Sequence, residues 1–475
     1  MRKLLTLYLL SINLIGCSSN SDSEVINDDN NDNNNSVTLS TSIVGINQIT
    51  SNQATISATV SAEGTSITER GICWDTSQNP TISNNSSSSG SSPGNYVITL
   101  NDLNENTNYH VRSYVITSNG INYSNNEQFT TLKEQTSNVH DGHIDLNTQA
   151  EVHSFGSNNY TEITGSLYIR NSIDITDLSP LSSLETIGNE LSITENDNLA
   201  SLDGLNNIAT VGSSATIRDN PLLVDLHGLN GLTSINSQLT LGDNNKLTNL
   251  DGLNSLQSTG GLFIYENPVL LNIAGLSNLT TANGTVTIKS NPNLTALNGL
   301  QQLEIIGSSL QIDNNDSLEN LSEFIALKTI GGQLTIVDND QLTNILGLDN
   351  LVSIKVDLRI NGNILTAIDG FSNLESIGGR LFISNEEITH IDGFDSIHHI
   401  GKIELSANAS LLHLNGFETL LTVDSDLRIE AHDALTDFCG LMALLENNGL
   451  GASYIVEGNS FNPTFDDIVN GNCRK

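Results

Sequence analysis

The chain is poor in cations, aromatic residues and proline. It contains 17 Lys and Arg against 54 Asp and Glu in 475 residues, for a net charge of −37. Binding to nucleic acid and adsorption to an anionic bilayer both need cationic patches, so we expect neither. Only 7 Pro and 1 Trp occur, whereas Asn, Ser, Thr and Gly are abundant. This composition favours turns and β-structure over helical bundles.

Cysteine and catalytic motifs are also scarce. The four cysteines are Cys17, Cys73, Cys439 and Cys473. They form no CxxC pair, so a thiolate zinc site is not expected. The sequence has no GxSxG, HExxH or P-loop motif, and no GxGxxG in a βαβ context. His140, His143 and His153 could form a metal cluster. They lie in a predicted linker and cap, however, where polar side chains are ordinary. We therefore predict no catalytic residue, no metal and no cofactor.

The N-terminus has the pattern of a secretion signal. A short positive region precedes an apolar stretch at residues 4–15, which is too short to span a bilayer. The segment LIGC at residues 14–17 resembles a bacterial lipobox, which implies a lipoprotein signal peptide at 1–16 and acylation of Cys17. The alternative is an ordinary signal peptide followed by an incidental cysteine.

A polar, acidic segment follows the lipobox. Residues 17–37 are nearly free of apolar side chains, so we predict a disordered tether. Asp22 and Glu24 resemble the surface-export signal of Bacteroidetes lipoproteins. The resemblance implies a lipid anchor in the outer membrane, with the rest of the chain exposed at the cell surface.

Residues 38–132 show the period-2 alternation of an antiparallel β-sandwich. The alternating segments are ATISATV at 54–60, NYVITL at 95–100 and YHVRSYVI at 109–116. LNENTNYHV at residues 103–111 resembles the tyrosine corner of fibronectin type III domains, and that resemblance implies Trp74 as the core tryptophan. Cys73 is expected to be a thiol near the core. A spacer is the simplest role for this unit.

Residues 163–436 repeat the pattern LxIxxNxxLxxLxGLxxLxxIG. The second apolar residue of each LxI segment recurs every 22 to 24 residues, at Ile169, Ile193, Ile217, Leu241, Ile264, Ile288, Ile312, Ile336, Ile360, Ile383, Leu405 and Ile429. So steady a period predicts a solenoid of about twelve coils of 24 residues. Stacked coils place their LxI strands in one parallel sheet, with neighbours about 4.8 Å apart. The fold class is therefore mostly β.

The repeat also carries a polar column. Asn recurs three residues after the anchor at Asn196, Asn220, Asn244, Asn267, Asn291, Asn315, Asn339, Asn363 and Asn408. Buried amides at these positions are expected to satisfy the backbone at the tight turn. Together with the NPxL turns and the LxGLxxL segments, this pattern resembles leucine-rich repeats and receptor L domains. The resemblance implies a ligand-binding solenoid.

Both ends of the solenoid are expected to be capped. Residues 133–162 form a linker and an N-terminal cap, in which a capping box predicts a helix at 148–155. Residues 437–475 form a C-terminal cap with a second short helix. In a secreted chain, Cys439 and Cys473 are expected to form a disulfide that holds this cap.

Positions that face outward from the sheet supply the candidate binding residues. Seven of the ten Lys and Arg residues between 163 and 460 fall there: Arg170, Arg218, Lys289, Arg359, Arg380, Lys402 and Arg428. Phe263 and Tyr265 point outward from one strand, with Lys289 at the same offset as Tyr265 on the next. Scattered exposure of the rings and cross-strand pairing of the charges are the structural alternatives.

We predict a non-enzymatic surface protein that captures a protein or glycan ligand on this face. The candidate ligand-binding residues are Phe263, Tyr265, Lys289, Arg359, Arg380, Phe382, Lys402 and Arg428. The alternative is a surface polysaccharide-processing enzyme of the β-helix type, which would need acid and base groups to converge in a cleft.

Lipidation of Cys17 is testable in cells that produce the protein. Metabolic labelling with a palmitate analogue should tag the wild-type chain and miss Cys17→Ser, because the serine offers no thiol for acylation. Cys73→Ser is the matched control and should keep the label. Equal labelling of the wild type and Cys17→Ser would contradict the lipobox.

Overall fold

A computed structural model describes residues 38–133 and 138–475 of the chain. The predicted signal peptide, Cys17 and the tether lie outside the described residues. The described residues divide into two compact units, which comprise 38–133 and 138–475. Within the described ranges, no helix is long and apolar enough to cross a membrane.

The first unit consists of antiparallel sheets, as its alternating sequence predicts. Strands β1 to β8 are Thr38–Asn47, Ala54–Glu63, Ile67–Asp75, Asn85–Ser88, Gly94–Leu100, Asn108–Thr117, Gly120–Tyr123 and Glu127–Thr130. One sheet has the order β1-β2-β5, and the other has the order β4-β3-β6-β7 with β8 also paired to β6. Alternate residues such as Ile56 and Val111 meet in one core, against which Trp74 packs. Burial raises the pKa of the Cys73 thiol to about 11, which makes it an unreactive core group.

The second unit is a parallel β-solenoid. Strands β9 to β33 are Val139–His140, Ile144–Leu146, Glu162–Ile163, Leu167–Ser172, Thr186–Ile187, Leu191–Asn196, Thr210–Val211, Ala215–Arg218, Ser234–Gly242, Ser258–Tyr265, Thr281–Ala282, Val286–Lys289, Ile305–Ile306, Leu310–Asp313, Thr329–Ile330, Leu334–Val337, Ser353–Ile354, Leu358–Asn361, Ala367–Ile368, Ser376–Ser384, His390–Ile391, His399–Ser406, Thr422–Val423, Leu427–Glu430 and Tyr454–Glu457. Helices α1, α2 and α3 are Gln149–Gly156, Met442–Glu446 and Phe465–Val469.

The LxI segments form one continuous parallel ladder in the predicted register. The anchors pair directly, as in Ile193 with Ile217 and Ile264 with Ile288. Leu and Ile side chains from every coil fill the interior at 0% exposure, which accounts for the low aromatic content. The solenoid has about 13 turns. One reason for the additional turn is that β10, within the predicted linker, pairs with β12 and extends the ladder at its start.

A buried asparagine column joins successive coils, as predicted. Asn291 is representative: its Nδ2 donates to the Ile264 carbonyl of the preceding coil at 3.1 Å, and its Oδ1 accepts from the Asn267 N–H at 3.2 Å. The column also includes three positions outside the predicted set: Asn385, His432 and Asn459. The amides thereby satisfy backbone groups that the turn removes from the sheet.

One coil is shorter at its turn than the others. Most coils place a residue with positive φ, such as Asp338 or Ala407, between the last strand residue and the asparagine. In the coil of Ile383, Ser384 is followed directly by Asn385, so this outward residue is missing. Asn385 nevertheless keeps its place in the column, where its Oδ1 accepts from the Asn363 N–H at 2.9 Å. The deletion therefore alters the surface and leaves the ladder continuous.

Both caps contain the predicted helices. At the N-terminal end, the Thr148 side chain accepts from the Glu151 N–H and the Glu151 carboxylate accepts from the Thr148 N–H, which completes the capping box of α1. An equivalent pair of bonds starts α3 at the C-terminal end. Cys439 and Cys473 are joined as a disulfide across the C-terminal cap.

Loss of this disulfide should loosen the C-terminal cap. The bridge closes a loop with a sequence separation of 34 residues, so replacing both cysteines with Ser should cost about 2–4 kcal/mol of local stability. Native-state hydrogen exchange measures this at the Phe438 N–H, which donates to the Cys473 carbonyl at 2.9 Å. Reduced wild-type protein is the control and should exchange like the double variant. Unchanged protection in both would show that packing alone holds the cap.

His432 should make the solenoid sensitive to acid. It is fully buried in the column, its Nδ1 accepts from the Asn408 N–H at 3.0 Å, and burial lowers its pKa below the ordinary 6.5. The unfolded chain then binds the proton more readily, so stability should fall as the pH drops below about 6.5.

His432→Asn restores the amide of the other coils and removes this titration. Chemical denaturation at pH 7.5 and pH 5 should show the wild type losing stability relative to the variant at the lower pH, since protonation places a charge in the buried column and removes the acceptor that Nδ1 offers to the Asn408 N–H. A stability difference that is the same at both pH values would mean that His432 does not titrate with folding.

Candidate functional site

The outward face of the main ladder is the surface on which the sequence places its candidate residues. The sheet register brings several of them side by side. Arg359 lies opposite Phe382, Phe382 opposite Glu404, and Glu404 opposite Arg428. In a neighbouring row, Arg380 lies opposite Lys402. Residues that are neighbours in a row belong to adjacent parallel strands.

Tyr265 and Lys289 are in register, but their side chains lean apart. The Tyr265 ring covers Gly242 of the preceding coil, where an added Cβ would lie 2.4 Å from the ring. Lys289 Nζ lies 2.9 Å from Asp313 Oδ2 of the following coil. The Tyr265 ring and the Lys289 ammonium therefore contact different coils, although the two residues share one offset. Phe263 and Tyr265 are both half-buried.

The outward cations are largely neutralised by carboxylates. Six of the seven outward cations have a partner: Arg170 with Asp145 at 2.6 Å, Arg218 with Asp219 at 2.8 Å, Lys289 with Asp313 at 2.9 Å, Arg380 with Glu404 at 3.3 Å, Lys402 with Asp426 at 3.7 Å and Arg428 with Glu430 at 2.8 Å. Such exposed pairs contribute little stability and need no ligand. For these six, cross-strand and local pairing explains the concentration of charge on the face.

Arg359 is the exception among the seven. Its Nε donates to Asn361 Oδ1 at 2.7 Å, and no carboxylate oxygen of the described residues lies within 4.0 Å of it. Its guanidinium carbon lies 5.6 Å from the centroid of the Phe382 ring. The side chain is exposed, and its two terminal nitrogens form no hydrogen bond with the described residues.

Phe382 is held in place by a second arginine. The guanidinium carbon of Arg380 lies 5.2 Å from the ring centroid, and Arg380 is itself held by Glu404 and Asp357. Cation–π contacts of this kind contribute about 0.5–1 kcal/mol at exposed sites. The half-buried ring therefore contacts two arginines: Arg380, which has carboxylate partners, and Arg359, which has none.

An open groove of about 480 Å³ lies beside Arg359 and Phe382, at the shortened coil. Its remaining lining residues are Asn361, Gly362, Asn363, Ile364, Ser384, Asn385, Glu386, Glu387 and Ala407. Where other coils carry an outward residue in the turn, this region has Gly362, the deletion after Ser384, and Ala407. The groove exists because three successive coils contribute no large side chain to that row.

A second groove of similar size follows the same edge nearer the N-terminal end. Glu195, Asp219 and Asp243 line it, each in the turn position of successive coils. Burial and the neighbouring Glu266 carboxylate raise the pKa of Asp243, and the charge on Arg218 opposes the shift. This carboxylate row could have been predicted from the sequence, because Glu195, Asp219 and Asp243 each lie two residues after the anchor of their coil.

The N-terminal histidines have structural contacts. The His140 ring packs edge-on against Phe155 and Tyr160, at 5.2 Å between centroids in each case. His143 Nδ1 accepts from the Ser166 N–H at 2.8 Å. In residues 38–133 and 138–475, no three His, Cys, Asp or Glu side chains are grouped so that they could hold a metal ion.

The structure brings only Arg359 and Phe382 of the eight candidates to this groove. Asn361, Ser384, Glu386 and Glu387 were not among the predicted residues. The spacing of the anchors could have indicated this groove. It falls from 24 residues to 23 between Ile360 and Ile383, and to 22 between Ile383 and Leu405.

Comparisons with known proteins add little. No protein-family model matches the chain, and a search of curated proteins finds no match. Among solved structures, the sensor domain of the anti-sigma factor RsgI4 from Pseudobacteroides cellulosolvens matches with 21% identity over 20% of this chain and 95% of its own length. The TM-score is 0.16, so this likeness carries no argument about fold or function.

Proposed function

We propose that this protein is a non-enzymatic binding protein of the cell surface, anchored by lipid at Cys17, which captures a protein or glycan ligand on the outward face of its solenoid. The observation that carries the proposal is Arg359, the outward cation without a carboxylate partner, beside the Phe382 ring at an open groove. Binding sites commonly combine an apolar ring with a few polar groups that orient the ligand.

The pairing of the other cations supports this choice of site. An arginine whose terminal nitrogens have no carboxylate partner can bind a ligand group without first giving up an ion pair. Arg380 and Arg428 would have to release Glu404 and Glu430 to do the same. The ligand-binding part of the face is therefore assigned to the Arg359 groove, and Phe263, Tyr265 and Lys289 are assigned to local packing.

The first unit fits the role of a spacer. Its segment at residues 103–111 resembles the tyrosine corner of fibronectin type III domains, and the solenoid repeat resembles receptor L domains. Under this proposal, the tether and the first unit separate the solenoid from the outer membrane. The net charge of −37 favours solubility of such an exposed chain.

Glycan and protein arrays probed with the full-length protein test the proposal. The variant Arg359→Ala/Phe382→Ala should lose at least about tenfold in affinity for the ligand that the arrays identify, equivalent to about 1.4 kcal/mol. Its fold should be preserved, because surface changes usually cost within about 0.5 kcal/mol each.

The matched control is Tyr265→Ala/Lys289→Ala, which also removes one ring and one cation from the same face. It should bind with wild-type affinity. Loss of binding in the control together with full affinity in the groove variant would place the site at Tyr265 instead, and the absence of any ligand on the arrays would argue against a binding role.

A further inference from the structure

We infer that the groove at the shortened coil binds an acidic saccharide, with the carboxylate of a uronic acid residue on Arg359. The inference rests on the proposed binding function and specifies its ligand. It depends on three features of the groove: a cation with free donors, apolar surface on two sides, and carboxylates that can accept hydrogen bonds from hydroxyl groups.

The free donors of Arg359 favour a carboxylate. A guanidinium has five N–H donors in a planar fork, and the structure uses only Nε, which donates to Asn361. The two terminal nitrogens can therefore offer parallel hydrogen bonds to the two oxygens of one carboxylate. Asn361 and the Phe382 ring hold the guanidinium in position, so little side-chain freedom is lost on binding.

Apolar surface lies on two sides of the same groove. Phe382 lines it from the strand, and Ile364, which is 41% exposed, lines it from the turn. A sugar ring presents C–H groups that can cover such surface while its hydroxyls remain hydrogen-bonded. The volume of about 480 Å³ falls in the range of about 300–1,000 Å³ that is typical of small-ligand sites.

The remaining lining groups distinguish a saccharide from an acidic peptide. Glu386 and Glu387 are exposed and form no ion pair with the described residues, so their oxygens are free to accept hydrogen bonds. Sugar hydroxyls can donate to them, and Ser384 and Asn361 add further polar atoms. Repulsion from these carboxylates and from the overall charge of −37 acts on an acidic peptide and on a uronic acid alike, but only the saccharide has ring hydroxyls that can donate to Glu386 and Glu387.

Isothermal titration calorimetry with the full-length protein tests the ligand class. The probes are the trisaccharide of galacturonic acid, galactotriose, which differs from it mainly in lacking the carboxylates, and triglutamate. The acidic trisaccharide should bind at least about tenfold more tightly than either of the other two, which is the factor expected for one well-placed interaction of about 1.4 kcal/mol.

The variants assign the interaction to Arg359. Arg359→Gln should weaken binding of the acidic trisaccharide at least about tenfold and leave galactotriose unaffected. Arg359→Lys keeps the charge but not the planar fork, so its affinity for the acidic trisaccharide should lie between those of the wild type and Arg359→Gln. Arg428→Gln is the control, because it removes the same charge from the same row three coils away.

The outcomes separate this inference from the proposed function. Equal affinity for the two trisaccharides, tighter binding of triglutamate, or unchanged binding in Arg359→Gln would overturn the acidic-saccharide assignment. If the arrays still yield a ligand that depends on Phe382, the proposed binding function stands and only the acidic-saccharide assignment is wrong. If the arrays yield no ligand, both are wrong.

Discussion

The tight turn after each strand of the main ladder is the constraint on which the solenoid depends. The chain must leave the sheet there, and its N–H and C=O groups lose their strand partners. A buried polar group without a partner costs about 1–3 kcal/mol, and the cost would recur in every coil. The asparagine column removes it, because each amide from Asn220 onward accepts from an N–H and donates to a C=O of the preceding coil, as Asn291 does. The same two bonds lock neighbouring coils into one register, and that register determines which side chains share a row on the surface.

The period of the sequence was sufficient to predict the coils, the register and the outward rows, since all three depend on backbone geometry that repeats. Individual contacts between side chains were not predictable in the same way. Lys289 and Tyr265 are neighbours in register, yet Lys289 turns to Asp313 and the Tyr265 ring covers Gly242. The direction in which a long side chain leans depends on partners in both adjacent coils, and a pattern read along one coil does not contain them. His432 was missed for a related reason, because an imidazole nitrogen can replace the amide oxygen in the column although the residue type differs.

Ion pairing explains most of the charge pattern on the outward face, without a ligand. In a chain with 54 acidic and 17 basic residues, a cation on a crowded sheet face readily finds a carboxylate. Six of the seven outward cations do so, which makes the concentration of Lys and Arg weak support for a ligand site. The same fact makes Arg359 informative. Although carboxylates are abundant, Arg359 has no carboxylate partner among the described residues. It contacts the amide of Asn361 and the ring of Phe382 instead.

The shortened coil shows how a repeat can form a groove without weakening its core. The residue that is missing after Ser384 is one that points outward in other coils and takes no part in the asparagine column. Its removal also avoids a residue with positive φ, a conformation that is unfavourable for side chains other than glycine and asparagine. Asn385 still accepts from Asn363 and donates its own N–H to Asn408 at 2.7 Å, so the column passes through the deletion intact. In a solenoid, then, the turn position is the place where residues can be lost or exchanged at little cost to folding. Binding chemistry is therefore best sought where the spacing of the repeat changes, and in this chain Arg359 and Phe382 lie at that point.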